Sequence, residues 1–322
     1  MRIFFASGYV YMYKYEKERI LYDLGVRDRL YSYLFTKDRY WKTFEECTDK
    51  KMYNFMIDSG AYTVHKRGET IDIVAYADWL LKVKDRIEIA VNLDVIPKTV
   101  ETVEKSATEG WENLQYLQSR GLKILPVFHL GESYKWLQKF IDNYEYFGLS
   151  KTGRLLTRDQ QLLWLDSCWK KLIDRKGKPI RKIHGFGITQ LPITTRYPWY
   201  SVDSSTWGMM SIYGRVLVPP VGQSYTEPIY GGIYVSKYSP TQRKKYAHYK
   251  SLSSQERKVV DNYFASIGMD IELIINEEAA ELKTIANVKY FLGLEKRLSK
   301  EPLSRLDFQK GFFEEEDYED KL

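Results

Sequence analysis

The chain has 322 residues, 44% of them hydrophobic and 29% charged, and its formal net charge at pH 7 is +6. These values predict a soluble globular protein with a sizeable core, and the mild excess of cations permits a nucleic-acid partner. Two distant cysteines, Cys47 and Cys168, exclude a disulfide framework and a Cys-rich zinc site, and they fit a reducing cytoplasm.

The first residues, MRIFFASGYVYMYKYEKERI, lack a long apolar region followed by a cleavage site of small residues. The sequence therefore predicts no signal peptide. It also has no run of about 18 apolar residues that would predict a membrane span. We expect a cytoplasmic protein that does not enter a membrane, and the sequence does not predict an oligomeric state.

Short apolar runs alternate with longer amphipathic runs from the start to about residue 220. The apolar runs are bounded by turn or polar residues, which is typical of buried parallel strands. Seven strands are predicted, at 2–7, 53–58, 87–96, 123–130, 144–150, 182–188 and 200–205. An eighth strand is predicted at either 215–219 or 231–236.

Amphipathic helices are predicted between these strands, at 71–84, 99–119, 133–143 and 157–175. In the last of them Leu162, Leu165, Trp169 and Leu172 recur at helical spacing. Repeated strand–helix alternation predicts the α/β class, and a closed (β/α)8 TIM-like barrel is the economical architecture.

The character of the chain changes near residue 237. Residues 237–250, KYSPTQRKKYAHYK, are basic with interleaved aromatic side chains. Helices are predicted at 251–270 and 276–298, followed by a solvated acidic tail. We therefore predict a barrel domain over residues 1–236 and a basic, helical C-terminal extension with an acidic tail over residues 237–322.

Three carboxylates stand at the predicted strand ends: Asp58, Asp94 and Asp203. Functional groups gather at the carboxyl ends of the strands in a parallel barrel, so these acids are expected to share one pocket. Taken singly, Asp58 in DSG is more simply explained as a turn former or cap, and DVIP at Asp94 as a strand that ends at a proline. Together they favour a metal site, acid–base and nucleophilic chemistry, or a ligand rich in hydrogen-bond donors.

The ordered segments DSGAYT, NLDVIP, FHLGE, YFGLSKTG, HGFGIT and SVDSSTW, within about residues 52–207, resemble the queuine-type tRNA-guanine transglycosylases. The chain departs from that family where the zinc site would lie, since two cysteines cannot supply its three. His129 replaces a glutamine, Leu149 replaces a glycine, and Ser204, Ser205 and Thr206 replace Pro-Thr-Arg. A shorter form without a zinc module is most similar to the phage and bacterial DNA-guanine transglycosylases (the DpdA family).

The resemblance implies an enzyme, a pentosyltransferase that exchanges guanine in DNA for a 7-deazaguanine base such as preQ0 through a covalent aspartyl-glycosyl intermediate. Asp203 matches the nucleophile and Asp58 the acid that manages protons. Asp94 would accept from the N1–H and amino group of the base. The remaining base-binding residues are expected to be Ser59, Tyr62, His129, Gly148, Leu149, Ser150, His184 and Gly185. No metal and no cofactor are expected.

A flipped base needs stacking surfaces, which Tyr62 and His184 could supply, and the phosphates need cations. The predicted nucleic-acid-binding residues are Lys151, Arg154, Arg243, Lys244 and Lys245. The last three lie in a basic segment that is equally well explained as a solvated helix face. If the protein is phage-encoded, the expected location is the host cytoplasm.

Three alternatives remain open. The same chemistry could act on tRNA, although the missing zinc module argues mildly against it. A metal-dependent barrel hydrolase could use the acids with His129 and His184 as ligands, but the paired-His spacing typical of such sites is lacking. A non-catalytic nucleic-acid-binding subunit is disfavoured because all three acids are present.

Overall fold

The computed structural model describes residues 1–6, 14–97, 99–151, 157–188, 190–218, 232–239, 247–276 and 280–300. Within these residues one sheet contains nine strands, and all of its pairings are parallel. The strands are β1 (Arg2–Ala6), β2 (Asp28–Ser32), β3 (Asn54–Asp58), β4 (Ile89–Val91), β5 (Ile124–Leu125), β6 (Val127–His129), β7 (Tyr146–Ser150), β8 (Lys182–Gly185) and β9 (Ser201–Ser204).

The sheet closes on itself through Pro126. Its strand order is β5-β4-β3-β2-β1-β9-β8-β7-β6, so the two end strands are consecutive in the chain. Pro126 separates them because proline has no N–H for the ladder, but its carbonyl accepts from the Gly148 N–H at 2.8 Å. Counting β5 and β6 as halves of one strand gives an eight-stranded parallel barrel, and this confirms the predicted fold class.

Helices surround the barrel and form the C-terminal part. Local sequence fixes several helix starts. The Asp72 side chain accepts from the N–H groups of Val74 and Ala75, and Thr157 and Gln160 form a capping box. The helices are α1 (Tyr15–Asp23), α2 (Tyr33–Thr36), α3 (Trp41–Asp49), α4 (Ala61–Lys66), α5 (Ile73–Val83), α6 (Val103–Ser119), α7 (Tyr134–Asn143), α8 (Arg158–Leu172), α9 (Leu191–Arg196), α10 (Thr206–Ile212), α11 (Ser254–Ser266), α12 (Ile271–Asn276) and α13 (Ala280–Lys300).

The eighth barrel strand is β2, and both positions predicted for it were wrong. β2 lies between β1 and β3, where the sequence analysis predicted no strand. Residues Arg215–Val216 (β10) and Ile233–Tyr234 (β11) instead form a separate antiparallel pair. β2 lacks the apolar pattern that predicts a buried strand, because it begins with two charged residues, Asp28 and Arg29. Both are nevertheless buried.

Two apolar cores follow from this arrangement, besides a small cluster inside the barrel. The larger lies between the barrel and its helices. The smaller joins residues of β10 and β11 to α11, α12 and α13, so it draws on both sides of the boundary predicted after residue 236. Inside the barrel, apolar side chains of alternate strand positions fill the middle, among them Phe4, Leu30 and Met56.

None of the helices in the described ranges is long and apolar enough to cross a membrane. The longest of them, α13, packs against the barrel instead. Val288, Phe291 and Leu294 belong to the larger core, and the Glu295 carboxylate accepts from the Ile3 N–H at 2.7 Å.

Candidate active site

The three predicted acids lie at the carboxyl ends of their strands. Asp58 is the last residue of β3, Asp203 is the third residue of β9, and Asp94 follows the end of β4 by three residues. Asp58 and Asp203 occupy inward positions, since Met56, two residues before Asp58, and Phe4, the register partner of Asp203, both lie inside the barrel. The structure therefore brings the acids to one end of the barrel.

Asp58 is the acid whose electrostatic environment is most perturbed. Burial, and then the charges of Asp94 and Asp203, raise the pKa of Asp58 from 3.8 to about 7. Its Oδ2 accepts from the Gly60 N–H at 3.1 Å, which opposes that rise. Near neutral pH both forms of this carboxyl are populated, as suits a group that gives and takes a proton.

Glycine is required at position 60 for two reasons. Its φ of +86° is in the left-handed region that other residues avoid. A Cβ there would also lie 2.8 Å from both Ser32 Oγ and Leu34 Cβ. The tight turn of DSG thus directs a backbone N–H back to the Asp58 carboxylate.

One oxygen of Asp203 is held by two donors. Oδ1 accepts from the Gly187 N–H at 2.8 Å and lies 3.4 Å from His184 Nε2. Gly187 has a φ of +63°, which allows its N–H to point back toward β9. Oδ2 accepts no hydrogen bond from any of the described residues, so it is the oxygen available for an incoming atom.

Asp94 faces a histidine that lies between two acids. His129 Nε2 is 3.2 Å from Asp94 Oδ2, an ion-pair contact that lacks hydrogen-bond geometry. On the other side, Glu132 accepts from the His129 N–H at 3.0 Å and lies 3.2 Å from Nδ1. Burial lowers the pKa of His129, but Asp94 and Glu132 outweigh burial and raise it to about 10. His129 is therefore an imidazolium at neutral pH.

A small cavity of about 20 Å³ lies behind this group, between α6 and the barrel. His129, Asp94 and Asn92 line it. The Asn92 amide donates to the Gly110 carbonyl at 2.9 Å, while its Oδ1 is buried without a hydrogen bond among the described residues. The space is sufficient for one water.

His129 and His184 are less accessible than their predicted roles require. His129 was predicted to donate to O6 of the base, but its Nε2 is buried against Asp94. His184 was predicted to stack on the base, but it is fully buried, and the edge of Phe186 covers it at a centroid distance of 4.4 Å. Phe186, which is half-buried at the barrel mouth, is better placed to meet a ligand.

The glycine-rich strand ends serve packing more than ligand approach. A Cβ on Gly148 would lie 2.3 Å from the Phe186 ring, and one on Gly185 would lie 3.0 Å from Trp199. Leu149 is fully buried in the larger core, so its side chain faces the helices. Any contact of Leu149 or Gly185 with the base would therefore be through the backbone, and both contacts stay predictions. Ser150 is inward and buried, in register with His129.

The remaining predicted residues have different degrees of exposure. Ser59 is buried, whereas Tyr62 is 42% exposed and its ring lies 4.2 Å from Lys66 Nζ. Lys151 follows β7 directly, and its Nζ donates to Gln161 at 3.1 Å. The predicted nucleic-acid contacts outside the described residues are Arg154, Arg243, Lys244 and Lys245.

Sequence reasoning missed Glu132, Phe186 and the neighbours of His184. Glu132 lies three residues after His129 in FHLGE, and a carboxylate at that spacing can bind the histidine's own backbone. Phe186 stands between the two glycines of HGFG, a pattern in which only the small residues were given a role. Contacts across strands, such as that of Ser201 with His184, leave no signal in the spacing along the chain.

Within the described part of the chain, no group of three or more His, Cys, Asp or Glu side chains is arranged to hold a metal ion. His129 and His184 contact different acids, Asp94 and Asp203 respectively.

No protein-family model matches the chain, and no curated protein matches it. Among solved structures it is similar to one described as native KDPGal, with a TM-score of 0.37 and 6% identity, covering 70% of this chain and 85% of that one. It is also similar to a truncated 3-deoxy-D-arabino-heptulosonate 7-phosphate synthase from Thermotoga maritima, with a TM-score of 0.32 and 13% identity, covering 92% and 87%. TM-scores and identities this low indicate nothing about substrate or reaction. The barrel is established by the strand pairing of this chain itself.

Proposed function

We propose that the protein is a base-exchange transglycosylase that replaces guanine in DNA with a 7-deazaguanine base. The observation that carries the proposal is the pairing of two different carboxyls at one end of the barrel. Asp58 has a pKa of about 7, and Asp203 has one oxygen held by Gly187 while the other is available. A retaining exchange at a sugar carbon needs one proton carrier and one nucleophile.

In the first half of the reaction, Asp203 Oδ2 bonds to C1′ as the C1′–N9 bond breaks. The bonding electrons leave with guanine, and protonated Asp58 supplies the proton that neutralises the leaving base. In the second half, ionised Asp58 takes the N9 proton of the incoming base. That base then bonds to C1′ and releases Asp203. Because the two glycosidic bonds are nearly equal in energy, no further reactant is needed.

The group of Asp94, His129 and Glu132 supports recognition of the base. A carboxylate accepts from both the N1–H and the amino group of a guanine-like edge. His129, held as an imidazolium by two acids, lies 3.2 Å from Asp94 Oδ2 and holds that side chain in place. Phe186 at the barrel mouth and exposed Tyr62 offer aromatic surfaces for an extruded base.

The experiment is to incubate the protein with labelled guanine and with single-stranded DNA, double-stranded DNA or tRNA, and to measure which polymer takes up label. We expect DNA to be labelled. Uptake by tRNA alone would favour a tRNA-guanine transglycosylase of the same mechanism. No uptake by any polymer, whether the labelled base is guanine or a 7-deazaguanine, would refute base exchange.

Two substitutions separate the chemistry from the recognition. D203A should abolish exchange and the covalent protein–DNA adduct, because it removes the group that bonds to C1′. D94A should mainly weaken binding of the free base, because that carboxylate only holds the base edge. The exposed Asp85 provides the control D85N, which should change neither. Exchange by D203A near the wild-type rate would show that the nucleophile is misassigned.

A further inference from the structure

A chain of hydrogen bonds runs inside the barrel from Asp203 to a tyrosine near the other end. His184 Nε2 lies 3.4 Å from Asp203 Oδ1, and its Nδ1 lies 2.8 Å from Ser201 Oγ. Ser201 Oγ in turn lies 2.7 Å from the Tyr146 hydroxyl. The three residues behind Asp203 belong to three adjacent strands, β7, β8 and β9, so the barrel itself fixes their spacing.

The middle of this hydrogen-bond chain is shielded from solvent. His184 and Ser201 have no exposed surface. The rings of Phe4 and Phe186 meet the His184 ring edge-on, at centroid distances of 5.8 and 4.4 Å. Because buried polar groups need partners, the hydrogen bonds within this chain determine where its protons lie.

One direction of donation suits every member, because the carboxylate oxygen at the end of the chain accepts a proton and has none to donate. Ser201 is the hydrogen-bond partner that the structure gives Tyr146 among the described residues, and burial raises the pKa of Tyr146, so its hydroxyl stays protonated. Tyr146 therefore donates to Ser201, and Ser201 donates to His184 Nδ1. The ring proton is then on Nε2, which faces Asp203. In the opposite direction Nδ1 would carry the ring proton, and the lone pair of Nε2 would face the lone pairs of Asp203 Oδ1.

We propose that His184 is a positioning residue for Asp203, held by Ser201 and Tyr146 in the tautomer whose Nε2–H donates to Oδ1, so that Oδ2 is the attacking oxygen. The proposal deepens the transglycosylase function and rests on it for its kinetic consequences. The tautomer itself does not depend on the reaction. A ring N–H aimed at a carboxylate also orients that carboxylate, as partners behind metal ligands and catalytic histidines do.

The tautomer is tested on the whole protein by ¹⁵N NMR of histidine-labelled samples. The protein has four histidines, and the signals that are lost in H184Q are those of His184. We expect a protonated Nε2 and an unprotonated Nδ1 in the wild type, and a change in both signals in S201A. A protonated Nδ1 in the wild type, or signals that S201A leaves unchanged, would overturn the proposal even if base exchange is confirmed.

The consequence for Asp203 is tested by single-turnover formation of the covalent adduct. H184M removes the donor at similar size, and we expect it and S201A to slow the adduct step by roughly 10-fold or more, with affinity for free base unchanged. H184Q restores an N–H donor and should recover part of the rate, while Y146F should slow it less than S201A does.

Tyr200 supplies the matched control, because its ring meets that of Tyr146 at 5.2 Å but its hydroxyl is outside the chain. Y200F should behave as the wild type. An adduct rate in H184M equal to that of the wild type would refute the positioning role. If the wild type forms no adduct with any polymer, the proposed function fails, and the NMR result still decides the tautomer.

Discussion

Asp58 shows how the environment that suits a proposed chemical role also has a cost in stability. Its folded-state pKa is about 7, whereas its ordinary value is 3.8. Between these values the folded protein retains a proton that the unfolded chain has lost. The free energy of unfolding contributed by this group therefore falls as the pH rises from about 4 to 7. A site that keeps a proton carrier ready at neutral pH is less stable there for that reason.

D58N should remove this cost. At pH 8 we expect its free energy of unfolding to exceed that of the wild type by up to about 4 kcal/mol, because the amide carries no charge beside Asp94 and Asp203. At pH 4 the two proteins should be almost equally stable. Urea unfolding at both pH values measures the difference, with D85N as the exposed control. A D58N gain that is the same at both pH values would contradict the assigned cause.

For His129 the folded protein favours the charged form, whereas for Asp58 it favours the neutral form. Its folded-state pKa is raised from 6.5 to about 10, so its contribution to stability is fully present below pH 6.5 and is lost as the pH rises through about 10. E132Q removes one of its two acids and should lower the His129 pKa. At pH 7 we expect the free energy of unfolding of E132Q to be lower than that of the wild type by about 3 kcal/mol. This is at the low end for a broken buried pair, because the ring can release its proton.

An NMR titration of His129 and urea unfolding at pH 7 measure the two effects of E132Q. The difference in stability from the wild type should shrink above pH 10, where the ring is neutral in both proteins. An unchanged His129 pKa in E132Q would mean that Asp94 alone holds the imidazolium.

At the scale of elements, the sequence predicted seven barrel strands and the four helices between them, because their apolar patterns match the burial that each element requires. The polar strand β2 was the exception. Arg29 on β2 is completely buried, where it donates to Glu18 of α1 at 2.6 and 3.0 Å and also bonds to the Phe5 carbonyl. A pattern search counts such a residue as exposed, since its partner is eleven positions away.

The stability of β2 should depend on the buried Arg29–Glu18 ion pair. E18Q leaves the buried guanidinium without its counter-charge and should lower the free energy of unfolding by about 3–5 kcal/mol. The double variant E18Q/R29M should lose less than the sum of the two single changes, because the unpaired charge is then absent. Glu16, exposed on the same helix, supplies the control E16Q. A loss in E18Q no larger than that in E16Q would show that the pair is not needed for β2.

At the scale of the whole molecule, α13 joins the two cores. Asn287 accepts from the Leu217 N–H at 2.6 Å and donates to the Trp207 carbonyl at 3.1 Å.

The sequence predicted helix α13 but not its position against the barrel. Pairings between segments 70 or more residues apart depend on the folded barrel and have no local pattern. The same limit applies to the site, where the strand ends identified the three acids but not the groups that hold them.

The choice of polymer depends on the charge of the whole surface. The net charge of +6 favours a polyanion, and Lys151 lies at the carboxyl end of β7, the end of the barrel that carries the acids. Its side chain is half-buried and bonded to Gln161, which fixes its position at the rim. Lys182 begins β8 at the opposite end of the barrel and is exposed, which makes it the matched control.

K151Q should weaken DNA binding and reduce the slope of log affinity against log salt by about 1, since one phosphate contact is lost. Free-base binding should not change, because the base meets Asp94 and not the rim. K244Q/K245Q should flatten the slope further if the basic segment that follows β11 also binds phosphates. Anisotropy of labelled DNA over roughly 50 to 200 mM salt measures these slopes. An equal effect of K182Q would show non-specific attraction to charge, and a slope that K151Q leaves unchanged would place the phosphates elsewhere.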